Sequence, residues 1–393
     1  MRYLKKTYLL LLLCLFTLQP ACAQSLKTGA EQTEAYTGLL KAKRVGVTAN
    51  HTSLIGAKHI VDVLLEHGIN VVRIYAPEHG FRGTADAGEN VNTAKDAKTG
   101  IEIASIYGET YKPTPEQLRG IDYMLFDMQD VGVRFFTYIS TMHYVMEACA
   151  EQRIPVIVLD RPNPNGFYVD GPLLEPAHRS FVGMHPIPVV HGMTVGELAG
   201  MINGEGWLKN GIRCDLTIIP CENYTHKTLY SLPVKPSPNL PTMQSVYLYP
   251  SVCFFEGTAL SLGRGTDFPF QVFGHPSYKG IYSFSFTPKS MEGAKNPPLL
   301  NRLCYGVDLR NFPEKILISD GKIRLEWLIE AYRNYPDKAR FFTNYMTRLW
   351  GTDKVQKQII DACTEDEIRA SWQEELSAFK QLRKKYLLYP DFE

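Results

Sequence analysis

Asn70-Val71-Val72-Arg73-Ile74-Tyr75-Ala76-Pro77-Glu78-His79-Gly80 is the stretch on which the reading of this chain turns. Residues 70–75 are a nearly unbroken apolar run, the pattern of a strand covered on both faces. Pro77 stops it, and Pro77-Glu78-His79-Gly80 follows as a turn. Upstream, His59–His67 carries Ile60, Val63 and Leu64 at helical spacing and ends at Gly68, a good residue just past a helix. Before that, Arg44–Thr48 is a second short apolar strand, halted by Asn50-His51-Thr52-Ser53. Strand, helix, strand in so few residues is a parallel crossover unit.

The same alternation continues. Residues 29–42 read as a helix, and Thr114 with Pro115 opens a short one. Tyr123–Phe126 is a strand ending at Asp127, residues 137–152 are helical, and Pro155–Leu159 is a strand ending at Asp160. Thr194-Val195-Gly196-Glu197 is a capping box for a helix to about Asn203, and Leu216–Ile219 is one more strand. Residues 24–230 therefore read as a Rossmann-like, doubly wound, mainly parallel sheet. A Pro-rich stretch, Leu232–Pro241, links it to a smaller α+β domain over 231–393, with helical patterns near 322–335, 354–363 and 365–386.

The ends of the chain and its composition bound the function. Arg2, Lys5 and Lys6, the apolar run Tyr8–Leu18 and Ala21-Cys22-Ala23 make residues 1–23 a secretory signal, too short to span a bilayer. Leu18, Ala21 and Cys22 also loosely match a lipoprotein box, which would leave Cys22 as a lipid anchor on an otherwise periplasmic protein. No later apolar stretch is long enough to cross a membrane. A net charge of +1 gives no reason to expect nucleic acid as a partner. The six cysteines after the signal form no C-x-x-C pair and read as scattered core residues. No G-x-G-x-x-G, phosphate loop, G-x-S-x-G or H-E-x-x-H pattern is present, so neither a nucleotide cofactor nor a metal is expected.

In open α/β sheets ligands bind beyond the carboxyl ends of the strands. Polar residues recur at those ends: Asn50 and His51, Glu78 and His79, Asp127 and Asp130 followed by Arg134, then Asp160 and Arg161. Each alone is compatible with a turn or cap. Glu78 is the exception, because turn chemistry prefers Asp, Asn, Ser and Gly. In the second domain Phe254-Phe255-Glu256-Gly257-Thr258 precedes Arg264 and Thr266, a set that suits a sugar with an acidic substituent or, equally, an aromatic core with a surface ion pair.

Five ordered motifs carry a resemblance. They are Asn50-His51-Thr52-Ser53; Pro77-Glu78-His79-Gly80 with Arg82-Gly83; Phe126-Asp127-Met128-Gln129-Asp130-Val131-Gly132 with Arg134-Phe135-Phe136-Thr137-Tyr138; Asp160-Arg161-Pro162-Asn163-Pro164; and Glu256-Gly257-Thr258 with Gly263-Arg264-Gly265-Thr266. Together they resemble the exo-β-N-acetylmuramidase family of NamZ or YbbC type over nearly all of the chain after the signal. The resemblance implies release of N-acetylmuramic acid from the non-reducing end of peptidoglycan-derived glycans, in a cleft between the two domains. It implies Glu78 as general acid, with burial near Pro77 and Phe81 favouring its protonated form. The second catalytic group would be Asp127, Asp130 or Glu256. Asn50, His51, His79, Arg82, Arg134, Tyr138, Asp160 and Arg264 would hold the sugar, with Arg134 or Arg264 on the lactyl carboxylate. Two other readings use the same residues: a periplasmic sugar-binding protein that does not cut, and a metal-dependent hydrolase built on His79, Asp127, Asp130 and Asp160.

Overall fold

The structure, a computed structural model, describes residues 25–81 and 94–393. The secretory signal, Cys22 and Arg82 lie outside the described residues. The central sheet contains β1 (Arg44–Ala49), β2 (Asn70–Ala76), β3 (Ala94–Lys95), β4 (Glu102–Ser105), β5 (Tyr123–Asp127), β6 (Val156–Leu159) and β7 (Leu216–Ile219), in the order β3-β4-β2-β1-β5-β6-β7. All neighbours are parallel except the short edge strand β3. Counting parallel strands alone, the order is 3-2-1-4-5-6, that of a dinucleotide-binding sheet, with its switch point between β1 and β5.

The helices follow from the sequence. They are α1 (Thr33–Leu40), α2 (Ile60–Glu66), α3 (Tyr138–Gln152) and α4 (Val195–Gly204) in the first domain. The side chain of His59 caps α2, and Thr194 with Glu197 forms the expected capping box of α4. Every residue of β6 and all but the first of β1 are buried, as a sheet covered on both faces requires. Three expectations shift. The helix expected at Thr114 stays a capped turn: Thr114 and Gln117 exchange cap hydrogen bonds, but Gly120 takes a positive φ six residues later. The helix expected over 29–42 is confined to Thr33–Leu40. β4 was not legible, since Glu102-Ile103-Ala104-Ser105 is too short and mixed to stand out; its pairing with β2 makes it a strand.

The smaller domain contains α5 (Met243–Val252), an antiparallel sheet of β8 (Val272–His275), β9 (Phe284–Phe286) and β10 (Cys304–Asp308), and then α6 (Glu314–Asp320), α7 (Leu325–Asn334), α8 (Met346–Trp350), α9 (Lys354–Ile360), α10 (Glu365–Ala370) and α11 (Gln373–Arg383). The pattern read as one helix over 365–386 is split at Ser371-Trp372, where the buried Trp372 faces Trp350. One apolar cluster runs from Tyr75 and Phe126 through Phe254 and Trp350 to Phe379, so the two domains share a core. Among the described residues the six cysteines are free thiols, five of them buried.

Candidate active site

A cavity of about 710 Å³ lies where the carboxyl ends of the strands meet the smaller domain. That size is ordinary for a small-molecule site. The first domain contributes Glu78 and His79 from the end of β2, Tyr107 from beyond β4, and Phe135–Tyr138 at the start of α3. Ser237, Asn239 and Leu240 of the Pro-rich segment form another part of the wall. The smaller domain adds Tyr249, Glu256, Arg264, the segment Gly293–Pro298, and Tyr345 at the start of α8.

Glu78 stands on the turn that ends β2. His79 beside it has φ 66°, the left-handed region, where an L-residue is disfavoured by about 1–2 kcal/mol. Both oxygens of Glu78 accept hydrogen bonds: Oε1 from the Tyr107 hydroxyl at 3.0 Å, and Oε2 from the Thr137 hydroxyl at 2.5 Å. The second carboxylate, Glu256, belongs to the other domain. Arg264 Nε and Nη2 both donate to its Oε1, at 2.8 and 2.5 Å. Gly257 allows this arrangement, since a Cβ there would sit 2.7 Å from the Met346 Cα of α8. Burial, then the nearby carboxylates, raise the pKa of the surrounding phenols: Tyr107 and Tyr138 by Glu78, Tyr345 by Glu256 and also by Glu78. These hydroxyls therefore stay protonated donors around two carboxylates.

Other expected site residues act from behind the wall. His51 Nε2 bonds the Lys235 carbonyl at 2.8 Å and so pins the Pro-rich segment that lines the cavity. Asn50 is fully buried, and its Oδ1 accepts from the Thr52 N–H and hydroxyl, the turn role open to it from the start.

Asp127, Asp130, Asp160 and Arg134 do not line it, and the expectation that every strand-end group faces one crevice is corrected here. Asp127 is held by both Nε and Nη2 of Arg161, at 2.6 and 2.9 Å, with both side chains sealed from solvent. Asp160 accepts from the Thr194 hydroxyl and the Gly196 N–H, and from the Tyr389 hydroxyl, so it ties the start of α4 to the C-terminal tail. Asp130 accepts from the Gly132 N–H at 2.7 Å in a tight Asx turn, which Gly132 permits with φ 78°. Arg134 is fully buried and donates to four carbonyls: Pro172, Ile187, Leu349 and Trp350. It rivets the first domain to α8 and cannot reach a substrate.

His79, Asp127, Asp130 and Asp160 do not gather as a ligand set. Among the described residues, the group with such geometry is Glu175, His178 and Asp353, away from the cavity, and Lys354 already occupies Glu175 at 2.8 Å. Residues that the sequence did not single out are Tyr107, Thr137, Ser237, Asn239, Lys295 and Tyr345. Thr137 sat within a motif that carried the resemblance. Tyr107 and Tyr345 belong to no motif, and only their approach to Glu78 and Glu256 marks them.

Asp130 supplies a pH test. Burial pushes its carboxyl up to about 7, against hydrogen bonds from the Gly132 and Val131 N–H groups. An unfolded aspartate titrates near 3.9. The folded state thus retains a proton that the unfolded chain releases. This group's stabilising contribution is full below about pH 4 and is lost as pH rises through about 7. Between about pH 4 and about pH 7 the unfolding temperature should therefore fall more steeply in the parent protein than in Asp130→Asn. Parallel slopes in the two proteins would show that Asp130 is ionised throughout.

The chain was compared with known proteins. The model of the N-terminal part of the exo-β-N-acetylmuramidase NamZ matches residues 45–244, and the model of the C-terminal part matches residues 247–389. The two matched parts meet at the start of α5. Peptidoglycan β-N-acetylmuramidase NamZ of Bacillus subtilis (strain 168) is 40% identical over 375 residues, covering 90% of this chain and 89% of that protein. A crystal structure of a DUF1343 family protein from Bacteroides fragilis NCTC 9343 superimposes with a TM-score of 0.87 at 51% identity, covering 94% of this chain and all of that one. A second DUF1343 family protein from the same organism gives 0.79 at 30% identity, with 93% and 99% covered. With two family models spanning both domains and a relative this similar over nearly its whole length, the chain belongs to the NamZ exo-β-N-acetylmuramidase family.

Proposed function

We propose that the protein is an exported exo-acting glycosidase that releases N-acetylmuramic acid from the non-reducing end of peptidoglycan fragments. The observation that carries this reading is one cavity holding two carboxylates from different domains, Glu78 and Glu256, within a ring of protonated phenols. Glycoside hydrolysis uses one carboxylic acid to protonate the leaving oxygen and a second group as base or nucleophile. Glu78 takes the acid role, oriented by Tyr107 and Thr137. Glu256 takes the second role; Arg264 fixes it by one oxygen, which leaves the other for the sugar or water. Asp127 and Asp130 are no longer candidates, because neither reaches the cavity. Arg264 and Lys295 are the arginine and the lysine that line the cavity, and they are the candidates to meet the lactyl carboxylate. The basic start and apolar run of residues 1–23 support export, which would bring the enzyme to its substrate.

The test is incubation with the disaccharide MurNAc–GlcNAc and identification of the products by mass spectrometry. Free N-acetylmuramic acid and N-acetylglucosamine are expected, with no loss after exhaustive chelation. Intact disaccharide recovered from the protein would favour a sugar-binding role, and abolition of cleavage by chelation would favour a metal-dependent one.

A further inference from the structure

Tyr107, which donates to Glu78, is the inner end of a chain of rings that runs outward from the cavity. Its ring meets Tyr111 edge-on at 5.4 Å and Phe181 at 5.7 Å. Tyr111 and Phe181 stack on each other at 4.2 Å with planes 26° apart, and Tyr144 of α3 lies parallel to Phe181 at 6.4 Å. These rings are not core. Tyr111 is 37% exposed, and Phe181 and Tyr144 are half-buried.

The placement of Phe181 is unusual chemistry for a turn. Ser180 and Gly183 exchange two backbone hydrogen bonds, so Phe181 and Val182 form the tip between them. Gly, Asn and Asp are the usual residues at such tips, because an apolar side chain there is left in water. Val182 nevertheless lines the cavity, so the turn carries one apolar residue into the site and one onto its rim. The turn is also held from below: Arg134 donates to Pro172 and Ile187, on either side of it.

We propose that Tyr107, Tyr111 and Phe181 form the subsite for the aglycone, the N-acetylhexosamine on the leaving side of the cleaved bond. This rests on Glu78 being the acid. If Glu78 protonates the glycosidic oxygen, the leaving sugar must depart past the residues that hold Glu78, and Tyr107 is one of them. A pyranose presents an apolar face of C–H groups that packs flat on aromatic rings, and Tyr111 with Phe181 offers such a surface partly open to solvent. The terminal muramic acid then fills the cavity, and the next sugar lies across the rim.

The experiment compares Tyr111→Ala and Phe181→Ala with the parent on two substrates. One is MurNAc–GlcNAc. The other is β-N-acetylmuramyl fluoride, whose leaving group is a single atom with no ring to stack. A KM for the disaccharide raised by roughly fivefold to tenfold is expected, the size of a stacking contact, with kcat/KM for the fluoride unchanged. Tyr111→Phe, which keeps the ring, should behave as the parent. Equal losses on both substrates, or no loss on either, would overturn the subsite. If the parent cleaves neither substrate, the glycosidase reading itself fails, which is a different result.

Discussion

Glu78→Gln should lower turnover of MurNAc–GlcNAc by on the order of 10³-fold, within the range of a lost general acid, while leaving the unfolding temperature nearly unchanged. The amide keeps the shape of the carboxyl: its one oxygen can accept from Tyr107 or Thr137, and its NH2 can donate to the other hydroxyl once that hydroxyl turns to accept. What it loses is the proton delivered to the departing oxygen. The choice of substrate makes the prediction sharp. Fluoride leaves without protonation, so β-N-acetylmuramyl fluoride should be far less affected than the disaccharide. A merely structural role for Glu78 would slow both alike. Turnover of the disaccharide close to that of the parent would remove Glu78 from the acid role altogether.

Arg134→Met should destabilise the fold by about 3–5 kcal/mol, the usual result of breaking a buried charged hydrogen-bond network from one side. The side chain is sealed from water and its guanidinium serves four carbonyls on three segments. Burial lowers its pKa to about 9, so it remains charged at neutral pH. Removing it takes a buried donor from all four carbonyls, of which Ile187 keeps the Leu174 N–H. Lysine should recover only a minor part, since one ammonium cannot span acceptors that the planar fork reaches at once. The denaturation midpoint reads the effect directly. Had Arg134 been a ligand for the lactyl carboxylate, Arg134→Met would fold normally and raise KM instead. An unchanged midpoint with a raised KM would restore that first expectation.

The two arginines show how far a motif can be read. Both Arg134 and Arg264 lie in segments with aromatic neighbours and follow an acidic residue. Arg264 lines the cavity, forked on Glu256 eight residues away and set over the Phe270 ring at 4.9 Å. Arg134 is spent on carbonyls 38 to 216 residues away. Nothing local distinguishes them. The same holds for the strand-end acids: Asp127 is neutralised by Arg161, 34 residues on and one strand over.

What the sequence determined alone was whatever is set by short-range pattern. Apolar runs of strand length, helical spacing and caps are local, and they specified the Rossmann-like sheet, its strand ends and the turn that presents Glu78. The five ordered motifs specified the family. The tertiary structure decided which of the polar strand ends meet the ligand. A carboxylate or guanidinium is available for chemistry only if no other part of the fold consumes its hydrogen bonds, and those partners come from distant segments brought together by packing. For that reason Tyr107 and Tyr345, which no pattern marks, stand at the site, while Asp127, Asp130, Asp160 and Arg134 hold the walls behind it.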